Sequence, residues 1–304
     1  MWILLPVAGM SIKLPILVGV GAMVGFLSGL FGVGGGFLLT PILMMIGIPP
    51  TVAAASDSCQ IVAASSSGAS AHFRLGNVDA KLGAVLLVGG LTGGWIGVQI
   101  IRVLRALGTA DFAITVTYIV VLSAIGGYMF FESLANLRRG ALVPKSHRAA
   151  RGQSLLSMLP FQMDFHHSRV RHSILVPFLL GGAVGTLAAI MGVGGGFIMV
   201  PMMVYLLRMP MHVAVGTDLF QILFTSAGIT FMQANTNHTV DLVLALLLAA
   251  GSTVGAQIGA RVGRRLRGDQ LKILLASIVL LVMIKMTIGL VRTPAIHLTL
   301  SRGH

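Results

Sequence analysis

Acidic residues, cysteine and charge in general are scarce in this chain. Only 8 of its 304 residues are Asp or Glu, and charged residues of both signs amount to 10%, where a soluble domain carries roughly 25%. With 56% hydrophobic residues and a mean hydropathy of +0.94, the chain is an integral membrane protein. A single cysteine, Cys59, excludes a disulfide within the chain and a cysteine-built metal site, and reads as a small buried apolar residue. No His-Glu-x-x-His or paired nucleophile and base occurs, which speaks against an intramembrane enzyme, and no ring of like charge marks a channel pore. Met1 to Met10 is apolar but has neither a basic leading region nor a small-residue cleavage site, so no signal peptide is read there and the membrane helices act as the targeting signal.

What is present is a duplication. Gly32-Val33-Gly34-Gly35-Gly36-Phe37 recurs as Gly192-Val193-Gly194-Gly195-Gly196-Phe197. Pairing Gly32 with Gly192 also pairs Gly21 with Gly181, Gly25 with Gly185, Pro41 with Pro201 and Pro50 with Pro210. One residue of shift aligns Asp57 with Asp218 and Gln60 with Gln221, and one more aligns Asp79 with Asp241, Gly93 with Gly255 and Arg102 with Arg264. Candidate spans run over 15–31, 37–48, 51–72, 78–101 and 109–131, and again over 173–190, 197–207, 211–234, 240–261 and 272–291. The segments after the glycine runs are shorter than the roughly 17 to 25 residues a crossing needs, so they read as half-helices.

These features predict an all-α polytopic membrane protein of two homologous repeats, each with a helix broken at GVGGG, a short half-helix and three further helices. The organisation is an N-terminal segment (1–14), a first transmembrane repeat (15–131), a basic linker (132–172), a second repeat (173–292) and a C-terminal tail (293–304). The net charge is +13, and the linker is strongly basic for its length, with Arg138, Arg139, Lys145, Arg148, Arg151, Arg169 and Arg171 against only Glu132 and Asp164. Basic loops stay cytoplasmic, so the linker is expected inside, against anionic lipid head groups, with both termini outside. Its only aromatic residues are Phe161 and Phe165, too few for nucleic-acid binding.

Parallel halves of four crossings would leave Arg102, Arg105 and the Arg261, Arg264, Arg265, Arg267 cluster outside; inverted halves of five segments return that cluster to the cytoplasm. The inverted arrangement is the expectation. It would point the N-termini of two half-helices at one another, each with free N–H groups and the positive end of a helix dipole, which is a site for an anion. Glycine spacings of four, such as Gly21/Gly25/Gly29 and Gly251/Gly255/Gly259/Gly263, are those of close helix packing. The GVGGG runs lack the Lys-Ser/Thr of a P-loop, and Phe37 or Phe197 replaces the last glycine of a dinucleotide fingerprint.

Gly29-Leu30-Phe31-Gly32-Val33-Gly34-Gly35-Gly36-Phe37, Ala214-Val215-Gly216-Thr217-Asp218-Leu219 and Ala71-His72-Phe73-Arg74-Leu75-Gly76-Asn77-Val78-Asp79 together resemble the TauE/SafE sulfite exporter family. The resemblance spans both repeats and implies a carrier for sulfite, sulfonates or related organosulfur anions that needs no cofactor. The first repeat departs from the Gly-Thr pattern, with Ala55-Ser56-Asp57 where the second has Gly216-Thr217-Asp218.

The candidate substrate-binding set is therefore Gly32, Gly34, Gly35, Gly36 and Phe37 with Gly192, Gly194, Gly195, Gly196 and Phe197, joined by Ser56, Thr217, Gln60 and Gln221, whose hydroxyls and amides suit oxyanions. Ser58 is in the same region, and such hydroxyls also satisfy themselves on helical carbonyls. Asp57 and Asp218 are either proton-coupling carboxylates, costing roughly 2.5 to 3.5 kcal/mol at mid-membrane unless protonated or paired, or caps at a helix start. His72 and Arg74 are gating candidates or interfacial anchors. Methionines around Met199 to Met211 read as packing and Lys285 as a snorkelling or paired lysine, and no metal site is expected.

Overall fold

The computed structural model describes residues 2–31, 36–138, 162–165, 170–263 and 268–292. The basic run 139–161, the first glycine stretch 32–35, Arg169, the cluster Arg264, Arg265 and Arg267, and the tail 293–304 lie outside the described residues.

The first half comprises α1 (Leu14–Phe31), α2 (Gly36–Ile46), α3 (Pro50–Arg74), α4 (Ala80–Ala106) and α5 (Ala110–Arg138). The second comprises α6 (Leu175–Met191), α7 (Gly196–Tyr205), α8 (Met211–Thr236), α9 (Leu242–Gly263) and α10 (Gly268–Arg292). Five of these, α4, α5, α8, α9 and α10, contain stretches long and apolar enough to cross a membrane, while α1, α2 and α6 hold shorter apolar helices. Large apolar side chains such as Trp95, Phe112, Phe231 and Leu246 are exposed on the helix exteriors. That is the expected covering of a protein whose surroundings are lipid.

The all-helical expectation needs one amendment. Two antiparallel hairpins precede the two halves: β1 (Trp2–Leu5) with β2 (Met10–Lys13), and β3 (Gln162–Phe165) with β4 (Val170–Ser173). The first forms because Pro6 and Gly9, the latter at φ +66°, fit a turn and break a helix, while Leu5 and Ile12 bury themselves against the helical core. The segment read as a linker thus begins with the end of α5 and carries a hairpin near its own end.

The halves exchange partners. α1 packs along α9 and α6 along α4, so the first helix of each half lies on the fourth of the other, while α3 packs on α8 and α5 on α10. Glycine makes the first two pairings possible. A Cβ on Gly21 would stand 2.7 Å from the Leu248 carbonyl oxygen, and Gly25, Gly29, Gly251, Gly255 and Gly259 meet the backbone of the facing helix as closely or more so. Gly89, Gly93, Gly181 and Gly185 do the same between α4 and α6, where Thr186 Oγ1 also donates to the carbonyl of Gly93 (3.0 Å) or of Gly182 (2.9 Å).

Hydroxyls lock the exchange from within. Ser56 Oγ on α3 accepts from the N–H of Asp241 at the start of α9 (2.9 Å), and Thr217 Oγ1 on α8 accepts from the N–H of Asp79 at the start of α4 (3.0 Å). The two aspartates then cap those helices, Asp79 Oδ1 accepting from Leu82 N–H at 3.2 Å and Asp241 Oδ1 from Leu244 N–H at 3.1 Å.

Candidate functional site

Between α6 and α7 the chain passes through Gly192, Gly194 and Gly195, at φ +76°, +69° and +87°. Gly192 ends α6 in the left-handed conformation, and Gly195 precedes the first turn of α7 with its carbonyl accepting from Ile198 and Met199. The N–H groups of Gly196 and Phe197 come before that first intrahelical bond and belong to the donors a helix cannot satisfy by itself. A side chain at Gly192 would collide with the backbone of Ala54 on α3, so this break is seated directly on the other half.

The first turns of the two half-helices meet. The Phe37 and Phe197 rings stack with centroids 5.3 Å apart and planes 22° from parallel. A Cβ on Gly36 would stand 3.2 Å from the Val193 carbonyl oxygen. Of the glycine candidates, Gly36, Gly192, Gly194, Gly195 and Gly196 are thus described in one neighbourhood, whereas Gly32, Gly34 and Gly35 lie outside the described residues.

Around this meeting point is a group of buried polar side chains on α3 and α8. Asp57 and Asp218 are each the eighth residue of their helix, two turns in, and 0% and 3% exposed. The capping alternative fails on this geometry, since a cap precedes the first turn; Asp79 and Asp241 fill that role. Asp57 Oδ2 accepts from Thr40 Oγ1 on α2 at 2.7 Å, and its Oδ1 has no hydrogen-bond partner. Asp218 Oδ1 likewise has none, and its Oδ2 lies 2.8 Å from where a Cβ on Gly196 would be, at the start of α7.

The glutamines use their amide nitrogens and leave their oxygens over. Gln60 Nε2 donates to Ser252 Oγ on α9 (2.6 Å), Gln221 Nε2 to Thr225 Oγ1 one turn along α8 (2.8 Å), and neither Oε1 has a partner. Ser226 Oγ is also buried without a partner, 3.2 Å from a Cβ position on Gly194. Native interiors leave few such atoms unpaired. Their concentration on α3 and α8 makes this neighbourhood the candidate site.

The remaining candidates are distributed differently. Ser56 and Thr217 are fully buried and committed to the helix starts described above, and Ser58 Oγ donates to the Ala54 carbonyl (3.2 Å). His72 stands near the end of α3 with its Cβ 3.2 Å from a Cβ position on Gly216, its Nδ1 buried and without a partner, and Arg74 is exposed at the helix end. Sequence reading missed Thr40, Ser226 and Tyr118. Tyr118, fully buried on α5, donates its hydroxyl to the Met191 carbonyl just before the break. An isolated tyrosine in an apolar helix needs a partner for its hydroxyl when buried, and that was the available signal.

The sequence profile of the family described as sulfite exporter TauE/SafE matches residues 17–286. The chain belongs to this family. As a TauE/SafE protein it is a membrane protein of a transporter family, and its relatives are named accordingly. It is 27% identical to "Probable membrane transporter protein YjnA" of Bacillus subtilis over 86% of this chain and 94% of that one. It is 29% identical to a probable membrane transporter protein of Methanocaldococcus jannaschii over 87% and 92% of the two chains. "Sulfite exporter TauE/SafE family protein 1" of Arabidopsis thaliana is 33% identical over 39% of this chain and 25% of its own. No solved structure matches the chain.

Proposed function

We propose that this TauE/SafE protein is a secondary transporter, an exporter, that moves a small sulfur-containing anion such as sulfite or a sulfonate by alternating access. The observation that carries the reading is the meeting of the α2 and α7 first turns through Phe37 and Phe197, beside buried polar atoms that lack partners. Backbone N–H groups at a helix start bind oxyanions without a formal positive charge, and glycine lets the ion approach the backbone. Gly32, Gly34, Gly35, Gly36 and Phe37 with Gly192, Gly194, Gly195, Gly196 and Phe197 form the anion site in this proposal. Gln60 and Gln221 are its side-chain neighbours, and Ser56 and Thr217 hold the helix starts behind it.

One of the matched pair Asp57 and Asp218 is the coupling carboxylate in this scheme, and His72 with Arg74 gates one end. The two halves are inverted, with the basic linker and Arg261 on the cytoplasmic side. Labelling of a cysteine placed at position 261 tests that topology: reaction from the cytoplasm supports it, and reaction from outside assigns parallel halves. The test of function is entry of labelled sulfite, and separately of ethanesulfonate, into proteoliposomes of folded protein. Saturable flux that other sulfur oxyanions compete with is the expected result. Absence of flux for both anions refutes the carrier, flux that never saturates assigns a channel, and preference for a carboxylate assigns an uptake permease of another class.

A further inference from the structure

Asp57 and Asp218 occupy corresponding places on α3 and α8 but face different things. The Asp57 carboxylate is turned to the Thr40 hydroxyl. In the second half the residue at the place of Thr40 is Val200, which offers no hydroxyl, and the Asp218 carboxylate lies against Gly196 at the start of α7. The start of α7 presents N–H groups and the positive end of its dipole, so a carboxylate beside it competes for the place an anionic substrate would take. Asp218 Oδ1, Gln221 Oε1 and Ser226 Oγ are buried beside it without partners, so this end of the site has polar capacity that the protein itself does not use.

We propose that Asp218 is a tethered anion that occupies the α7 start when no substrate is bound and takes up a proton when substrate arrives, so that each anion bound there brings one proton with it. The inference rests on the anion site proposed above. Two negative charges cannot share one buried helix start at little cost, because their repulsion is unscreened in a low-dielectric interior. The incoming oxyanion accepts from the backbone N–H groups at the α7 start. The Asp218 carboxylate forms an O–H bond with a proton from the aqueous side, becomes neutral and turns into a donor, which Gln221 Oε1 or the anion itself can accept.

No neighbouring charge offers another way out. α6 and α7 carry no Asp, Glu, His, Lys or Arg. The titratable groups of α3 are Asp57, held by Thr40, Cys59 and, near the helix end, His72 and Arg74; on the α4 side they are Asp79, committed to its helix start, and Lys81, which is exposed. Along α4 Arg102 is exposed, and Arg105 near its end bonds the Asn237 carbonyl. On α8 itself His212 is exposed at the first turn. Among the described residues no cation is bonded to Asp218. Bound substrate and bound proton therefore cross together, one proton per anion, and the asymmetry of the halves puts that proton on α8; export then runs when the outward anion gradient exceeds the opposing proton gradient.

The experiment compares full-length wild-type protein, Asp218→Asn and Asp57→Asn, using whichever of sulfite and ethanesulfonate the wild type carries. If wild type carries neither, the carrier reading falls and the coupling inference with it. If it carries one, the apparent Kd of wild type relative to Asp218→Asn is expected to rise about tenfold per pH unit on the alkaline side, the slope of a single linked proton. Taking the ratio cancels any titration of the anion itself. An imposed pH gradient accumulates anion through wild type and through Asp57→Asn, the latter at lower rate, but through Asp218→Asn the anion only equilibrates. Gradient-driven accumulation that survives in Asp218→Asn, or that is lost in Asp57→Asn alone, overturns the proposal. Should Asp218→Asn not fold, proton uptake by wild type on binding the anion it carries, in weak buffer and corrected for the anion's own titration, decides: about one proton per anion supports it, and none overturns it.

Discussion

The polar faces of α3 and α8 carry the same Asp-x-x-Gln spacing and bond it in two different ways. On α3, Asp57 reaches Thr40 on α2 and Gln60 reaches Ser252 on α9, so the pair is tied to both neighbours. On α8, Gln221 turns to Thr225 on its own helix, and Asp218 has no hydroxyl opposite it. The cause is visible in the aligned halves: the place of Ser252 is taken by Gly90, that of Thr40 by Val200, and that of Thr225 by Ala64. Both glutamines thus bond a hydroxyl of the second half, Gln60 that of Ser252 on α9 and Gln221 that of Thr225 on α8. The difference ties the Asp57/Gln60 pair across the bundle and leaves the Asp218/Gln221 pair, among the described residues, with no bond to another helix, so in the proposed transport cycle the α8 pair is the one free to change its contacts.

The most damaging way to disturb the comparison is at the contact between the halves. Gly192→Ala places a methyl group against the Ala54 backbone at a left-handed residue, and no rotamer relieves a Cβ clash. Loss of nearly all folded, monodisperse protein is expected. Gly108→Ala, also at positive φ (+70°) but with open space around it, should cost only about 1 to 2 kcal/mol. Thermal unfolding in detergent separates the two; similar yields and melting points would show that the packing on Ala54 is dispensable.

A milder and more informative change moves the hydroxyl. A Cβ on Gly90 would stand 2.8 Å from Gln221 Nε2 and 2.9 Å from Thr225 Oγ1, so Gly90→Ser alone overpacks the site, and Thr225→Ala alone removes the partner of the amide. Each single change should destabilise by about 1 to 3 kcal/mol. The double variant rebuilds on α4 the arrangement that Ser252 gives Gln60, and a favourable coupling of about 1 kcal/mol is expected in the double-mutant cycle. Strict additivity would mean that the swap of partners between halves is incidental.

Thr40→Val carries the second half's residue into the first. It removes the bond to Asp57 Oδ2 and leaves that carboxylate as poor in partners as Asp218 Oδ1, at a cost of about 1 to 2 kcal/mol. If Asp57 then acquires pH-linked anion binding of its own, the difference between the halves reduces to this one hydroxyl; if binding is unchanged, other features of α2 set it.

Much of this arrangement was legible in the sequence, and what was not follows a pattern. The short helices α2 and α7 were visible because glycine runs and short apolar segments are local signals, and the matched aspartates because the duplication aligns them in the sequence. Thr40 and Ser252 gave no such signal: a lone hydroxyl in an apolar helix is ordinarily bonded to its own backbone, and only tertiary packing turns it toward a facing helix. The reading of Asp57 and Asp218 as caps failed because α3 and α8 start at Pro50 and Met211, a full two turns before them. The hairpins were missed because an apolar stretch such as Trp2 to Leu5 is short enough to be strand or helix by composition alone.

The smallest effects are expected at the true caps, where the halves differ again. Asp79→Ala and Asp241→Ala each remove a side-chain acceptor at a helix start, worth about 1 kcal/mol. Asp241 has a second duty: its Oδ2 also accepts from Val7 N–H at 3.0 Å in the turn of the β1–β2 hairpin, with Ala8 N–H at 3.4 Å. Asp241→Ala should therefore loosen the N-terminal hairpin as well as α9, speeding amide exchange at Val7 and Ala8 while exchange at the start of α4 stays slow. Asp79→Ala should do the reverse, speeding exchange at Leu82 and leaving the hairpin protected. Equal exchange at Val7 and Ala8 in the two variants would mean that Leu5 and Ile12 alone hold the hairpin in place, through burial and without help from the cap.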